Sequence, residues 1–386
     1  MPRAGAVVQR SGPGVVAYVV IDGNGVEIEP FTTFLRDLLL TDASPLTVRS
    51  YAHDLLRWWR LLVVVDVAWD RAGRGEVELL VGWLRTARNP QRARSASSAM
   101  PPGSVNLRTG KPSLEAGYAA STINHALSVL SGFYDFHLHF GRGPAVNPVP
   151  LASERRRLLG HRSPIDVQPQ HGRAPLRQKQ GSRAPRSIPD RLWDELFAEM
   201  GSHRDRALLA FYVSSGARAS ELLGLLGEQV DWSGKRIGLV SKGSRALMAV
   251  PGSPEAFCHL AMYFDEHGTP AAREPVWRTL RGEPRQLTYW AMRCVLQRAN
   301  HVLGTNWSLH DLRHTAAARM AADPALTLPE VQAVLRHKHL STTEIYLQPR
   351  IEELHDKLAE HFARPREERR FAPGYAAEDI EAVFGA

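Results

Sequence analysis

At 386 residues the chain is longer than one small core requires and suits two domains of ordinary size. Its 44% hydrophobic and 23% charged residues are the proportions of a soluble globular protein. Two cysteines, Cys258 and Cys294, exclude a disulfide framework or a structural zinc site of their own, and a reducing cytoplasm fits best.

The formal net charge of +8 is unevenly spread. Residues 154–186 hold nine Lys or Arg against two acids, and residues 85–112 hold six against none, so the rest of the chain is slightly acidic. Charge gathered in two loop-like segments suits contact with a polyanion, because each neutralised phosphate releases condensed counterions. The ordinary reading of such runs is a solvated linker.

Residues 1–29 read as an N-terminal extension without a signal peptide, since the apolar run near Val19 is short and ends at Asp22. The run Leu61–Trp69 is interrupted by Asp66 and too short to span a bilayer. Residues 30–149 are patterned as helices. Ser44-Pro45 supplies an N-cap and a first-turn proline for a helix with Val48, Tyr51, Leu55, Trp58 and Trp59 on one face. A second helix starts at Ser121-Thr122 and buries Ile123, Leu127, Leu130, Phe133 and Tyr134. Between them, residues 85–117 are rich in Arg, Ser, Pro and Gly and predict a long flexible loop. Residues 150–186 have few apolar positions and predict a basic linker, extended or disordered until something binds.

A second domain is expected over 187–362. It starts with an amphipathic helix and carries a β-hairpin of Arg236–Val240 and Arg245–Val250 about Lys242-Gly243-Ser244. Four separated segments of it offer groups suited to phosphate chemistry. Gly216 ends one helix and Arg218 stands at the start of the next, where backbone N–H groups also favour an anion. Lys242 sits at the hairpin tip. Ser308 and Asp311 form a capping box, and His310 and Arg313, three residues apart, are expected on one face of the helix it starts. His337 precedes a second box, Ser341 with Glu344, whose helix is expected to reach Tyr346.

Alone, each has an ordinary reading: a surface arginine, a solvated turn lysine, a core tyrosine or a satisfied buried histidine. As a set, Arg218-x-x-Glu221-Leu222, Lys242-Gly243, His310-x-x-Arg313-His314 and His337 nine residues before Tyr346 resemble the signature of the tyrosine recombinases, the phage-integrase family. The likeness covers about 187–362. It extends more weakly to the first domain, where Thr47, Tyr51 and the helix after Ser121 resemble the family's SAM-like core-binding domain. Two departures stand out: Arg336 occupies the place of a usual glycine before His337, and the second hairpin strand is less basic than usual.

The resemblance implies a mainly α fold with a small β-hairpin sheet in the catalytic domain, and a two-domain C-shaped clamp on double-stranded DNA. It implies a dimer on each recombination site, a tetramer in the synapse, accessory DNA-bending proteins, and no metal or other cofactor. Tyr346 would attack phosphorus to give a 3′-phosphotyrosine that stores the bond energy for rejoining. Arg218 and Arg313 would bind the non-bridging oxygens, Lys242 would protonate the leaving 5′-oxygen, His310 would assist proton transfer with the tyrosine and His337 would hydrogen-bond the phosphate. Thr47, Tyr51, Ser121, Thr122, Asn124, Arg173, Arg177, Lys179 and Arg183 are the candidate DNA contacts. The tail 363–386, with Ile380, Val383 and Phe384, is a candidate docking helix for a neighbouring protomer.

Three rivals remain at this level. One is a zinc hydrolase, since His310 and His314 mimic HExxH; Asp311 stands where that motif needs Glu, and Arg313 between the histidines would repel a dication. The others are a type IB topoisomerase and a non-catalytic DNA-binding protein.

Overall fold

The computed structural model describes residues 3–12, 16–90, 101–151, 174–181, 186–241, 245–337, 341–344, 346, 358–363 and 377–384. The chain divides into two compact units, Met1–Ser182 and Arg183–Ala386.

Among the described residues the first unit is built on four helices: α1 (Glu29–Leu40), α2 (Pro45–Val65), α3 (Arg74–Thr86) and α4 (Ala120–His139). The Ser44 hydroxyl accepts the Thr47 N–H at 3.2 Å and so starts α2 as its sequence predicts. The expected stripes of α2 and α4 interlock: Val48, Leu55 and Trp58 meet Ile123, Leu127, Leu130 and Phe133 in one core. Trp58 Nε1 donates to the Tyr134 hydroxyl at 2.9 Å, and that hydroxyl donates to the Trp69 carbonyl at 3.0 Å. Both aromatic tips are thus satisfied where desolvation would otherwise cost about 1–3 kcal/mol each.

Three features differ from the sequence reading. The N-terminal segment carries a hairpin, β1 (Ala6–Gln9) with β2 (Tyr18–Ile21), in the register Ala6↔Ile21 to Gln9↔Tyr18. Val19 and Val20 enter the same core, and Arg60 of α2 donates to the carbonyls of Ala4 and Gly5 at 2.7 and 2.8 Å. Residues 101–117 of the expected flexible loop are folded about Asn106, whose side-chain oxygen accepts from the backbone of Arg108 and Thr109. Bridges Val105↔Pro112 and Arg88↔Gly117 close that loop on itself. Within the expected linker, 174–181 docks on the first core through Leu176 and a two-way pairing of Asn124 with the Gln178 backbone at 2.7 and 3.0 Å.

The second unit starts with α5 (Asp190–Ala198). It is organised around α6 (His203–Ser215), which is buried nearly all round and therefore shows no amphipathic stripe. Gly216 ends it in the left-handed region at φ +56°. After the short α7 (Ala219–Leu223) come three antiparallel strands, β3 (Val230–Asp231), β4 (Arg236–Val240) and β5 (Leu247–Pro251), in the order β3-β4-β5. The expected hairpin is present, one strand wider. Helices α8 (Pro254–His267), α9 (Tyr289–Leu303), α10 (Leu309–Ala322) and α11 (Leu328–Leu335) complete the body, with α8 and α10 against α6. Short helices follow, among them α12 (Ser341–Glu344) and α13 (Ala377–Phe384). No helix among the described residues is long and apolar enough to cross a membrane.

Candidate active site

Four segments of the second unit converge: the 216–218 turn, one face of α10, the end of α11, and Tyr346. Each is placed by a local rule. The Ser308 N–H and hydroxyl both donate to Asp311 Oδ2 at 2.7 Å, which fixes the first turn of α10. One turn on, Arg313 points inward and is buried. Its two terminal nitrogens donate to the carbonyls of Gly216 and Leu335, tying the α6 terminus to the α11 terminus. Burial above all, then the charges of Arg218 and Arg336, lower its pKa to about 10, so it stays cationic at neutral pH.

Arg218 is the N-cap of α7 and remains 32% exposed. Its NH1 donates to Glu221 Oε1 at 2.7 Å and its backbone N–H to Glu221 Oε2 at 2.9 Å. Burial alone would push the Glu221 carboxyl up; the bonds from Arg218 and the charge of Arg336 outweigh it and hold the group ionised below its usual range.

Tyr346 lies just beyond α12, in a turn closed by its N–H to the Thr343 carbonyl at 3.0 Å, and not on the helix as its sequence spacing predicts. Its ring rests against the apolar cluster of Ala317, Val331 and Leu335. The phenol oxygen is 2.6 Å from His314 Nδ1. Burial raises the phenol pKa, and the nearby Arg313 partly offsets it. The His337 ring is nearly parallel to the Tyr346 ring, with centroids 6.4 Å apart, and its Nδ1 is 2.9 Å from the buried Thr343 hydroxyl. Burial first, then Arg313, Arg218 and Arg336, lower the His337 pKa to about 4, which leaves a neutral imidazole.

The structure therefore brings Arg218, Arg313, His337 and Tyr346 together. His310 and Arg313 do not share an environment: His310 is exposed, and its ring meets His314, one turn along, at 4.2 Å between centroids. His314 is the histidine at the phenol. In the sequence it stands in the motif with no role in the DNA reading, and only the rival zinc reading uses its i, i+4 spacing from His310. The pairing of the Glu221 carboxylate with Arg218 is likewise not evident from the motif that holds both. Lys242 lies outside the described residues.

This geometry offers a phenol beside a histidine ring nitrogen and two guanidiniums, an arrangement fit for phosphoryl transfer to a tyrosine. The family model described as phage integrase family matches residues 190–353, and the phage integrase N-terminal SAM-like domain matches 31–100. The tyrosine recombinase XerD of Pseudomonas aeruginosa is 32% identical over 268 residues, 65% of this chain and 78% of that one. The chain is a tyrosine recombinase.

XerC of Chlorobaculum parvum is 26% identical over 342 residues, 86% of the recombinase and 93% of its own length. Two solved structures share the fold. One is a lambda integrase dimer bound to a core site (TM-score 0.54, 14% identity, 90% of this chain and 99% of that one). The other is XerH in a post-cleavage complex with a palindromic difH substrate (TM-score 0.55, 16% identity, 82% and 80%). The recombinase is thus a site-specific DNA strand-exchange enzyme that cleaves and rejoins through tyrosine, and DNA is its partner.

Of its candidate DNA contacts, Ser121 and Lys179 are exposed, and Thr122 is partly so. Arg177 and Lys179 share an open groove with Arg85 and Tyr118. Thr47 bonds the Ser44 hydroxyl at 2.8 Å, and Tyr51 packs between Phe34 and His125. Asn124 is occupied by Gln178, and Arg177 NH2 by the Ser128 hydroxyl at 2.9 Å, so these two hold the 174–181 segment. Arg173 and Arg183 lie outside the described residues.

Proposed function

We propose that the recombinase forms its covalent intermediate with Tyr346, and that the other residues of the site act on the two protons and the phosphate charge. The phenol oxygen attacks phosphorus and its proton passes to Nδ1 of His314, taken as the Nε2–H tautomer, with the His310 ring edge-on to it. The bond from phosphorus to the 5′-oxygen breaks, and Lys242 gives that oxygen a proton. Arg218 and Arg313 carry the added charge on the non-bridging oxygens, and neutral His337 donates one hydrogen bond to them. The 2.6 Å separation of Tyr346 from His314, within one residue cluster with both arginines, is the observation that carries this reading.

Around that chemistry, the two units would clasp duplex DNA as a C-shaped clamp, with the basic 150–186 segment on phosphates. A dimer would occupy each site and a tetramer would form the synapse, with head-to-tail contacts that close into a ring. Accessory DNA-bending proteins would assist where the sites demand bending. Helix α13 would reach the next protomer; Val383 on it is 73% exposed, while the side chains of Ile380 and Phe384 lie outside the described residues. Joining of strands from two labelled duplexes that carry the native site supports the recombinase assembly. Relaxation of supercoiled DNA with no joined product would assign the chemistry to topoisomerase-like turnover instead.

A further inference from the structure

The site holds three guanidiniums, not two, and two of them bond the carboxylate of Glu221. The third belongs to Arg336, which follows α11 at φ 55° and ψ 44°, a left-handed conformation that side chains rarely adopt. Its side chain is only 3% exposed, against 32% for Arg218. NH2 donates to Glu221 Oε2 at 3.0 Å and, more weakly, to the Gly216 carbonyl at 3.4 Å, while NH1 donates to the Val334 carbonyl at 2.7 Å. Buried Nε finds no acceptor among the described residues. A buried cation held partly unsatisfied beside the reacting groups is costly unless neighbouring charges compensate it.

The balance of charge gives the reason. Glu221 orients Arg218 from both sides, through its NH1 and its backbone N–H. With no other cation, that carboxylate would pair off the charge of Arg218, and an incoming phosphate would have to compete with it. Arg336 supplies a counter-charge that faces the carboxylate and not the solvent. We propose that Arg336 is a positioning residue: it neutralises Glu221, so that Glu221 aims Arg218 without spending the charge Arg218 offers to the phosphate. This rests on the phosphate-binding role proposed above for Arg218.

The test is a cycle of full-length variants, Arg336→Gln, Glu221→Gln and the double variant, with Arg336→Lys and Arg218→Lys beside them. Single-turnover adduct formation on nicked site DNA is read at saturating protein, and affinity for the intact site is read separately. Arg336→Gln should slow adduct formation by about tenfold to a hundredfold while affinity changes less than about threefold, a loss confined to the charged transition state. Arg336→Lys should recover most of the rate. In the Glu221→Gln background, where no carboxylate needs neutralising, loss of Arg336 should cost little, a coupling that a packing role would not produce. An Arg336→Gln rate equal to wild type overturns the proposal, as does an equal loss in both backgrounds. Should Arg336→Gln not fold, Arg336→Lys alone decides, since retained rate requires that charge is what matters. An unchanged rate in Arg218→Lys would instead overturn the underlying phosphate role.

Discussion

At the scale of single residues, the site is an electrostatic device in which several cations share one compartment. His337 shows the consequence: burial and three arginines depress its pKa to about 4. Because this folded value lies below the ordinary 6.5, protonation favours the unfolded chain. The contribution to stability is intact above pH 6.5 and is withdrawn as pH falls towards 4. An NMR titration of the imidazole should give a midpoint near 4 in the free protein and a higher one with site DNA, whose phosphate offsets the arginines. A midpoint near 6.5 without DNA would contradict this shared compartment. The residue types of this site were legible in the sequence, because Arg218, Arg313, His337 and Tyr346 stand at helix starts and ends in a specific order. The pairings of Glu221 with Arg336 and of Tyr346 with His314 were not, since they join residues 115 and 32 positions apart.

At the scale of elements, helix termini do most of the positioning. Gly216 is the hinge point: its carbonyl accepts from Arg313, and its left-handed backbone turns the chain towards Arg218. A Cβ there would sit 2.6 Å from Leu335 Cδ2. Gly216→Ala should therefore lower unfolding stability by about 1–3 kcal/mol and slow cleavage as well, because the same shift displaces α11 and His337. Equal urea midpoints for variant and wild type would contradict this. The Ser44 cap, the Ser308–Asp311 box and the stripes of α2 and α4 could all be read beforehand, since each rests on spacing within one helix. The β1–β2 hairpin could not: its strands are four residues each, and only the register against α2 makes Val19 and Val20 core residues. Asn106 hid in the same way, as one polar residue that organises a loop by backbone bonds.

At the scale of the whole molecule, the surplus of basic charge is concentrated in residues 85–112 and 154–186, and this is where affinity should be set. Substitution of Arg173, Lys179 and Arg183 by Gln should flatten the dependence of site affinity on salt, by about 0.9 in slope for each phosphate no longer neutralised. Identical slopes for the variant and wild type would remove 150–186 from the interface. Arg177 is left out because it braces Ser128. The most direct test of the mechanism is the covalent intermediate itself. Purified recombinase, incubated with nicked site DNA and a chelator, should give a protein–DNA adduct that survives a denaturing gel and is absent with Tyr346→Phe. An adduct that persists in Tyr346→Phe would contradict the assignment of the nucleophile and, with it, the site built around His314, Arg218 and Arg313.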